Sequence, residues 1–349
     1  MSIFTSFVRQ VDLGREGRHR GIRIMLPVYN NIVNGIQRKA YTLVGGNTGT
    51  GKTAFVDYAY VLLPMREWMK EESGKPDFRI IYFSMERSRE FKIDKWICAL
   101  LYLDHRIVID TRAVLSQGGN GRLDDGVYEK IMAYRGFFDS VENRLVILDG
   151  RKKPKDVARI LRNHAAKYGA FTIDEHGEES YTPARDEVVM VVIDHIGKVR
   201  RETRVSEKES IDELSGVMGD CRDILGYAPV VIQQFNRDVA DPARMKMQGF
   251  EPRLEDFKGS ANTQEDCDIA LTLFNPFRYG LMNYGDYQID KFVDSHGRNR
   301  FRSIKVLKNS YGDDDVSVGM NFIGECGLFK EMPRPRDMKP EHYKAAINP

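Results

Sequence analysis

Only four cysteines, Cys98, Cys221, Cys267 and Cys326, occur in 349 residues, and no two stand as a CxxC pair. That spacing excludes a disulfide-stapled secreted scaffold and offers no zinc knuckle, so a reducing cytoplasm is the simplest compartment. Long apolar runs are missing as well. The longest clean one near the middle, Val188–Ile193, falls far short of the ~20 residues that cross a bilayer. The opening MSIFTSFVRQVDLGREGRHRG lacks the cationic start and sustained apolar stretch of a secretory signal. Charge of one sign is lacking too. Lys and Arg total 53 against 51 Asp and Glu, a net charge of +2 that excludes a histone-like tail but not a local basic patch. No internal repeat of about 20–50 residues is present, which argues against a solenoid.

What is there reads as globular. Hydrophobic residues make up 42% and charged residues 30%, and the length suits one large or two ordinary domains. Short apolar runs at Tyr41–Val44, Arg79–Phe83, Leu145–Leu148, Val188–Ile193, Val230–Gln233 and Ile269–Phe274 alternate with helical stretches. Continuously apolar strands separated by helices predict an α/β fold with a mostly parallel central sheet buried on both faces. Residues 170–186 and 276–300 read as insertions, 238–255 as a mobile loop, and the proline-rich 332–349 as a C-terminal tail. Ile3, Phe4, Phe7 and Val8 recur at helical spacing, so residues 1–22 are expected to hold a short helix and a linker.

Four strand ends carry chemistry. Gly46-Asn47-Thr48-Gly49-Thr50-Gly51-Lys52-Thr53 fits GxxxxGK[ST], follows the strand YTLV and precedes the helix-like AFVDYAYVLL. In that setting the glycines turn backbone N–H groups onto phosphate oxygens, and the helix presents its positive end to them. Lys52 then reaches the β- and γ-phosphates, and the Thr53 hydroxyl ligates magnesium, which implies ATP and Mg²⁺ as cofactors. Val188–Asp194 is an apolar strand ending in an acid, which places Asp194 beside the metal. Ile80–Glu86 ends likewise, and Glu86 on the same sheet edge is placed to take a proton from the attacking water. Val230–Gln233 runs into Gln234-Phe235-Asn236-Arg237, whose amides can sense the γ-phosphate.

With these pieces in order the chain resembles the motor domain of DnaB-type replicative helicases, superfamily 4, with a RecA-like core. The likeness is collinear over roughly residues 21–325. It is carried by VNGIQRKAYTLVGGNTGTGKTAF, YFSMERS, VLSQGG, RLVILDGRKKPKDVARILRN, VVIDHIGKV, IDELSGVMGDCRDILGYAPVVIQQFNR, DFKGSANTQEDCDIAL and VLKNSYG. FSMERS, QQFNR and Asp256–Asp268 are far more specific than the P-loop. The resemblance implies a RecA-like ATPase domain over 23–331 and ATP hydrolysis at the interfaces of a hexameric ring around single-stranded DNA. Primase, polymerase or a loader are candidate protein partners, and no membrane is involved. By resemblance Lys52 and Thr53 bind nucleotide and metal, Glu86 activates water, Asp194 supports the metal and Gln234 senses the γ-phosphate. The rival on the same fold is a recombination or helicase-loading ATPase that binds single-stranded DNA without unwinding it.

Departures from the family pattern shape further expectations. The domain that contacts primase has no counterpart in residues 1–20, which suggests a compact, phage-like form acting in a bacterial cytoplasm. The helix of residues 2–12 is expected to dock on a neighbouring subunit. His195 stands where a tyrosine is usual and reads as a structural substitution. The last core strand usually ends Lys-x-Arg-x-Gly; here it is Lys308-Asn309-Ser310-Tyr311-Gly312, so the finger arginine is a serine. Lys308, Arg300 and Arg302 are the candidate replacements. For DNA, Lys198, Arg200, Arg201 and Arg204 form a basic pore loop against one acid, Glu202, with Arg244 and Lys246 in a second loop. Residues 291–308 form another basic stretch.

Overall fold

The computed structural model describes residues 3–16, 21–70, 75–119, 121–236, 251–259 and 262–349. The strands are β1 (Thr42–Gly46), β2 (Asp77–Ser84), β3 (Leu145–Asp149), β4 (Gly169–Ile173), β5 (Glu179–Pro183), β6 (Glu187–Asp194), β7 (Ala228–Gln234), β8 (Ile269–Phe274), β9 (Asn283–Tyr284), β10 (Tyr287–Gln288), β11 (Phe301–Asn309), β12 (Val316–Ile323) and β13 (Leu328–Glu331). Among the described residues, nine of them form one sheet in the order β13-β12-β11-β8-β1-β7-β6-β2-β3. The six strands expected from apolar runs are the parallel part, β8 to β3. An antiparallel extension, β11-β12-β13, covers one edge.

Five of the six parallel strands are buried nearly throughout, with apolar residues at successive positions and helices covering each side, while the edge strand β3 is only partly covered. One face packs Val192, Met190, Tyr82 and Ile80 under the helix that leaves the P-loop and under the helix Arg89–His105. The other packs Val191, Ile193, Ile81 and Val231 under the helices Pro154–Tyr168 and Glu207–Asp223. Ser206 caps the latter, and Glu209 returns the bond in a capping box. Among the described residues no helix is long and apolar enough to cross a membrane.

Three segments differ from the sequence reading. Residues 170–186, which read as a polar insertion, carry regular structure: β4 and β5 pair as an antiparallel hairpin, with Phe171 against Tyr181 and Tyr181 against Tyr227. Residues 332–349 end in a helix, Pro340–Ile347, with Ala346 buried and Tyr343 edge-on to Phe292. The N-terminal helix runs Ile3–Arg15, longer than expected, so less of residues 1–22 is linker. Most of the loop 238–255 lies outside the described residues.

Behind the hairpin, His164 meets the Tyr227 hydroxyl at 3.0 Å. Burial, reinforced by Arg79 and Lys167, pushes its imidazole down to about 4. A histidine held below its unfolded value near 6.5 keeps the fold stable above that value and costs stability as pH falls towards the folded one. The thermal midpoint should therefore drop between about pH 6.5 and 4, and less steeply in His164→Gln. Circular dichroism melts across that range check it; identical slopes would assign the acid sensitivity elsewhere.

Candidate nucleotide and nucleic-acid site

Parallel strands order the chemistry before any side chain is considered. β1, β7, β6 and β2 are consecutive neighbours, and all four carboxyl ends open on one edge. Gly46, Gln234, Asp194 and the turn bearing Glu86 thus lie within a few strand spacings of ~4.8 Å. Lys52, Thr53, Glu86, Asp194 and Gln234 line one cleft of about 340 Å³.

The P-loop is shaped by glycines that cannot be replaced. Gly46 has φ +151°, and a Cβ there would lie 2.6 Å from the Leu273 carbonyl oxygen. Gly51 has φ +101°, with Phe322 and Phe329 directly beneath it. Those two rings stack with centroids 4.5 Å apart and form the floor under the turn. The loop is braced at its rim by the 3-10 turn Pro276–Tyr279: Arg278 donates to the Thr48 carbonyl at 2.5 Å and Asn47 to the Tyr279 hydroxyl at 2.5 Å. The helix that follows runs from Lys52 through a π-helical stretch, Val56–Leu62, to Lys70.

Lys52 folds back across the loop and donates to the carbonyls of Gly46 at 2.7 Å and Asn47 at 2.9 Å. Burial pulls its ammonium down to about 8 against the opposing pull of Asp194 and Glu86. An anion in the loop would meet that ammonium and the free amides of the helix start. The Thr53 hydroxyl donates to Asp194 Oδ1 at 2.9 Å. A hydroxyl and a buried carboxylate side by side at the mouth of a phosphate loop are a hard-oxygen donor set that suits Mg²⁺.

Asp194 is 1% exposed. Its Oδ2 receives Lys92 Nζ at 2.5 Å and the Tyr82 hydroxyl at 3.1 Å. Burial works to raise this carboxyl, but Lys92, Thr53 and Tyr82 together hold it below the ordinary range. Glu86 is more open; its Oε2 lies 3.6 Å from His195 Nε2, beyond hydrogen-bond reach. His195 is buried, neither ring nitrogen has a hydrogen-bond partner among the described residues, and burial lowers its pKa. It separates the nucleotide cleft from a second cavity of about 280 Å³, lined by Arg151, Lys198, Arg201, Lys258 and Gln234.

The loop after β6 carries Lys198, half-buried, and Arg200, Arg201 and Arg204, exposed. Arg204 adopts φ +70°. Sequence reading missed the companion run Arg151-Lys152-Lys153, whose only signal was four cations in RKKPK. The Arg200 amide donates to the Lys152 carbonyl at 2.8 Å, and Lys155 meets Glu202 at 3.6 Å, so the two basic segments lie together. Arg244 and Lys246 lie outside the described residues.

Residues 291–308 do not form the open basic patch that their charge count suggests. Arg300 is buried against Asp294 at 2.9 Å and Glu325 at 3.1 Å. Arg298 meets the same two acids, and Lys305 pairs with Glu251 and Asp315. Arg302 is buried and donates to the carbonyls of Thr50, Asn299 and Phe301, so it braces the P-loop of its own chain. Both arginines are thus engaged at the start of β11, the strand that also carries Lys308. Acids distant in sequence neutralise the stretch, which a local count could not anticipate. Lys308 donates to the backbone carbonyls of Gln264 and Glu265.

The family model for the DnaB-like helicase C terminal domain matches residues 21–331. Among solved structures, one described as an ATPase domain superposes with a TM-score of 0.71 at 16% identity, covering 95% of this chain and 99% of that one. A DnaB-like replicative helicase, described together with its interactions with primase, gives a TM-score of 0.68 at 17% identity over 95% of this chain and 67% of that one. No curated protein matches the chain by sequence.

Proposed function

We propose, from the premise that the chain belongs to the DnaB-like helicase C terminal domain family, that it is an ATP-driven translocase on single-stranded DNA working as a hexameric ring. The observation that carries this reading is the convergence of Lys52, Thr53, Glu86, Asp194 and Gln234 on one cleft at the carboxyl edge of β1, β7, β6 and β2.

The residues divide the work as follows. The amides around Gly49–Thr53 receive the phosphates, and Lys52 exchanges its two loop carbonyls for their oxygens. Thr53 and Asp194 would hold magnesium, which supplies neutralisation of the phosphate charge when bound. Glu86 takes the proton of the attacking water, and Gln234 hydrogen-bonds the terminal phosphate. Gln234 is the last residue of β7 and also lines the basic cavity, so its movement is felt where Lys198 and Arg201 project. That shared wall offers a route from hydrolysis to the DNA loop. Phe4, Phe7, Val8 and Val11 are exposed along the N-terminal helix, an apolar stripe that suits docking on a neighbouring subunit.

Single-stranded DNA should stimulate ATP hydrolysis, and replacing Lys198, Arg200, Arg201 and Arg204 with glutamine together should remove the stimulation while basal hydrolysis survives. The same variant should bind DNA with a flatter salt dependence, by roughly 0.7 in log–log slope per lost phosphate contact. Binding titrations at several salt concentrations provide the measurement. An unchanged slope would reject this loop as the DNA contact.

A further inference from the structure

Lys92 is 1% exposed, on the helix Arg89–His105, where a lysine in an ordinary amphipathic pattern would face water. Lysine is almost never fully buried unless it is paired. Its ammonium has three N–H donors and meets three acceptor groups: Asp194 Oδ2 at 2.5 Å, the Tyr82 hydroxyl oxygen at 2.6 Å and the Asp57 carboxylate at 3.2 Å. Asp57 is itself buried and, with Tyr82 Oη at 2.7 Å, shares the single Tyr82 hydroxyl proton with Asp194.

We infer that Lys92, balanced by Asp57, is a positioning residue for the Asp194 carboxylate: it fixes Oδ2 so that Oδ1 stays on Thr53, and a divalent cation arriving with nucleotide meets a site already set. The inference rests on the reading of Thr53 and Asp194 as the metal side of the cleft. Three observations support it.

The first is connectivity. Asp57 lies on the helix that begins with Lys52 and Thr53, Tyr82 on the strand that leads to Glu86, Lys92 on the helix after Glu86, and Asp194 at the end of β6. One ammonium therefore ties together the three elements that carry nucleotide, metal and base. The second is charge. Lys92 and Asp57 cancel, so the pair orients Asp194 without adding net charge beside the cation. The third is energetic. A buried ion pair is seldom better for stability than apolar residues of similar volume, because desolvation offsets the attraction. The cluster is thus a costly way to hold a fold together, and its place on the Asp194 carboxylate points to geometry as its purpose. Without it Oδ2 would keep only the Tyr82 contact at 3.1 Å, and the carboxylate could rotate away from Thr53.

The test uses the full chain, the variant Lys92→Met, and the paired variant Asp57→Leu/Lys92→Leu, which removes both charges together. Binding of a fluorescent ATP analogue is measured in EDTA and against rising Mg²⁺, alongside thermal midpoints and steady-state hydrolysis. The paired variant should fold, melting below the parent because Asp194 loses its buried cation, and should bind the analogue in EDTA as the parent does. It should need about 10–100-fold more Mg²⁺ for half-maximal enhancement, the range seen when partners of metal ligands are removed. Its kcat should fall while KM for ATP at saturating Mg²⁺ holds. A well-folded paired variant with the parent's Mg²⁺ requirement and kcat would overturn the inference, as would a paired variant that fails to fold, since the pair would then serve folding. If the parent itself shows no Mg²⁺ enhancement, the assignment of Thr53 and Asp194 fails and takes this inference with it. Should Lys92→Met alone be unstable, the paired variant still decides.

Discussion

Glu86→Gln should lower ATP turnover by about 10²–10⁴-fold, the usual contribution of a positioned general base, while nucleotide still binds. The amide preserves the size and hydrogen-bonding shape of the side chain but cannot accept a proton from water. Glu86 is suited to the role because its side chain is substantially open to the cleft, and the buried ring of His195, 3.6 Å from its carboxylate, stands beyond hydrogen-bond reach. Asp194, the other carboxylate, is buried and held by three donors. Environment thus separates the two acids in the proposed reading: the constrained one would hold the metal, and the open one would take the proton from water. Lys52→Ala provides the contrasting behaviour, because the loop then loses its cation and nucleotide binding itself should fail. Single-turnover hydrolysis with bound nucleotide measured separately distinguishes the two variants. A Glu86→Gln protein turning over at the parent rate would move the base elsewhere, with the neutral imidazole of His195 the next candidate.

The second large effect concerns the cation that, in the proposed ring, one subunit would lend its neighbour. A finger arginine is worth about 10³–10⁵ in rate, and by the resemblance to the family Ser310 stands where it would be. Arg300 and Arg302 were the sequence-level substitutes, but both are engaged inside their own chain, one by Asp294 and Glu325, the other by the back of the P-loop. The expectation that follows is that Lys308 acts without them. It is held by two backbone carbonyls and lies two residues from Ser310. A lysine lacks the planar fork that spans two phosphate oxygens, so turnover should be slow and improvable. Ser310→Arg should raise DNA-stimulated turnover by about tenfold or more, and Lys308→Ala should lower it by a similar factor. Arg300→Ala should instead lower the melting midpoint, because Asp294 and Glu325 would keep only Arg298, the more exposed of their two arginine partners. Arg302→Ala should weaken nucleotide binding in its own subunit. Saturating-substrate rates, melting midpoints and mixed-subunit assays separate these outcomes. No change in turnover for Lys308→Ala or Ser310→Arg would mean that this strand end does not reach a neighbour's nucleotide.

The sequence disclosed the parallel part of the sheet and its four chemical strand ends because both are local. An apolar run such as Val188–Ile193 and the acid that follows it lie in one window, as does the whole P-loop. The hairpin of β4 and β5 was hidden because most of its residues face solvent; only Phe171 and Tyr181 betray an inner side. The Lys92–Asp57 pair was hidden for another reason. A lone lysine in a helix reads as surface, and its partners come from positions 57, 82 and 194, which only the sheet order brings together. Charge counts misled over residues 291–308 on the same ground, since Glu251, Asp315 and Glu325 neutralise that stretch across space.

The position of β1 also has a bearing on how the chain is made. Thr42 pairs with Val230 on one side and Ile269 on the other. The strand that launches the P-loop is thus synthesised long before both its neighbours leave the ribosome. Such non-local pairing must bear loop-closure entropy before any contact rewards it, which slows folding. A nascent chain that has not yet exposed residues 228–274 has an unpaired β1, a strand buried throughout in the finished fold, and no firm wall for a nucleotide. The competence to capture ATP should consequently arise only once residue 274 has emerged, in a single step, and the intervening interval is when the chain is most exposed to aggregation.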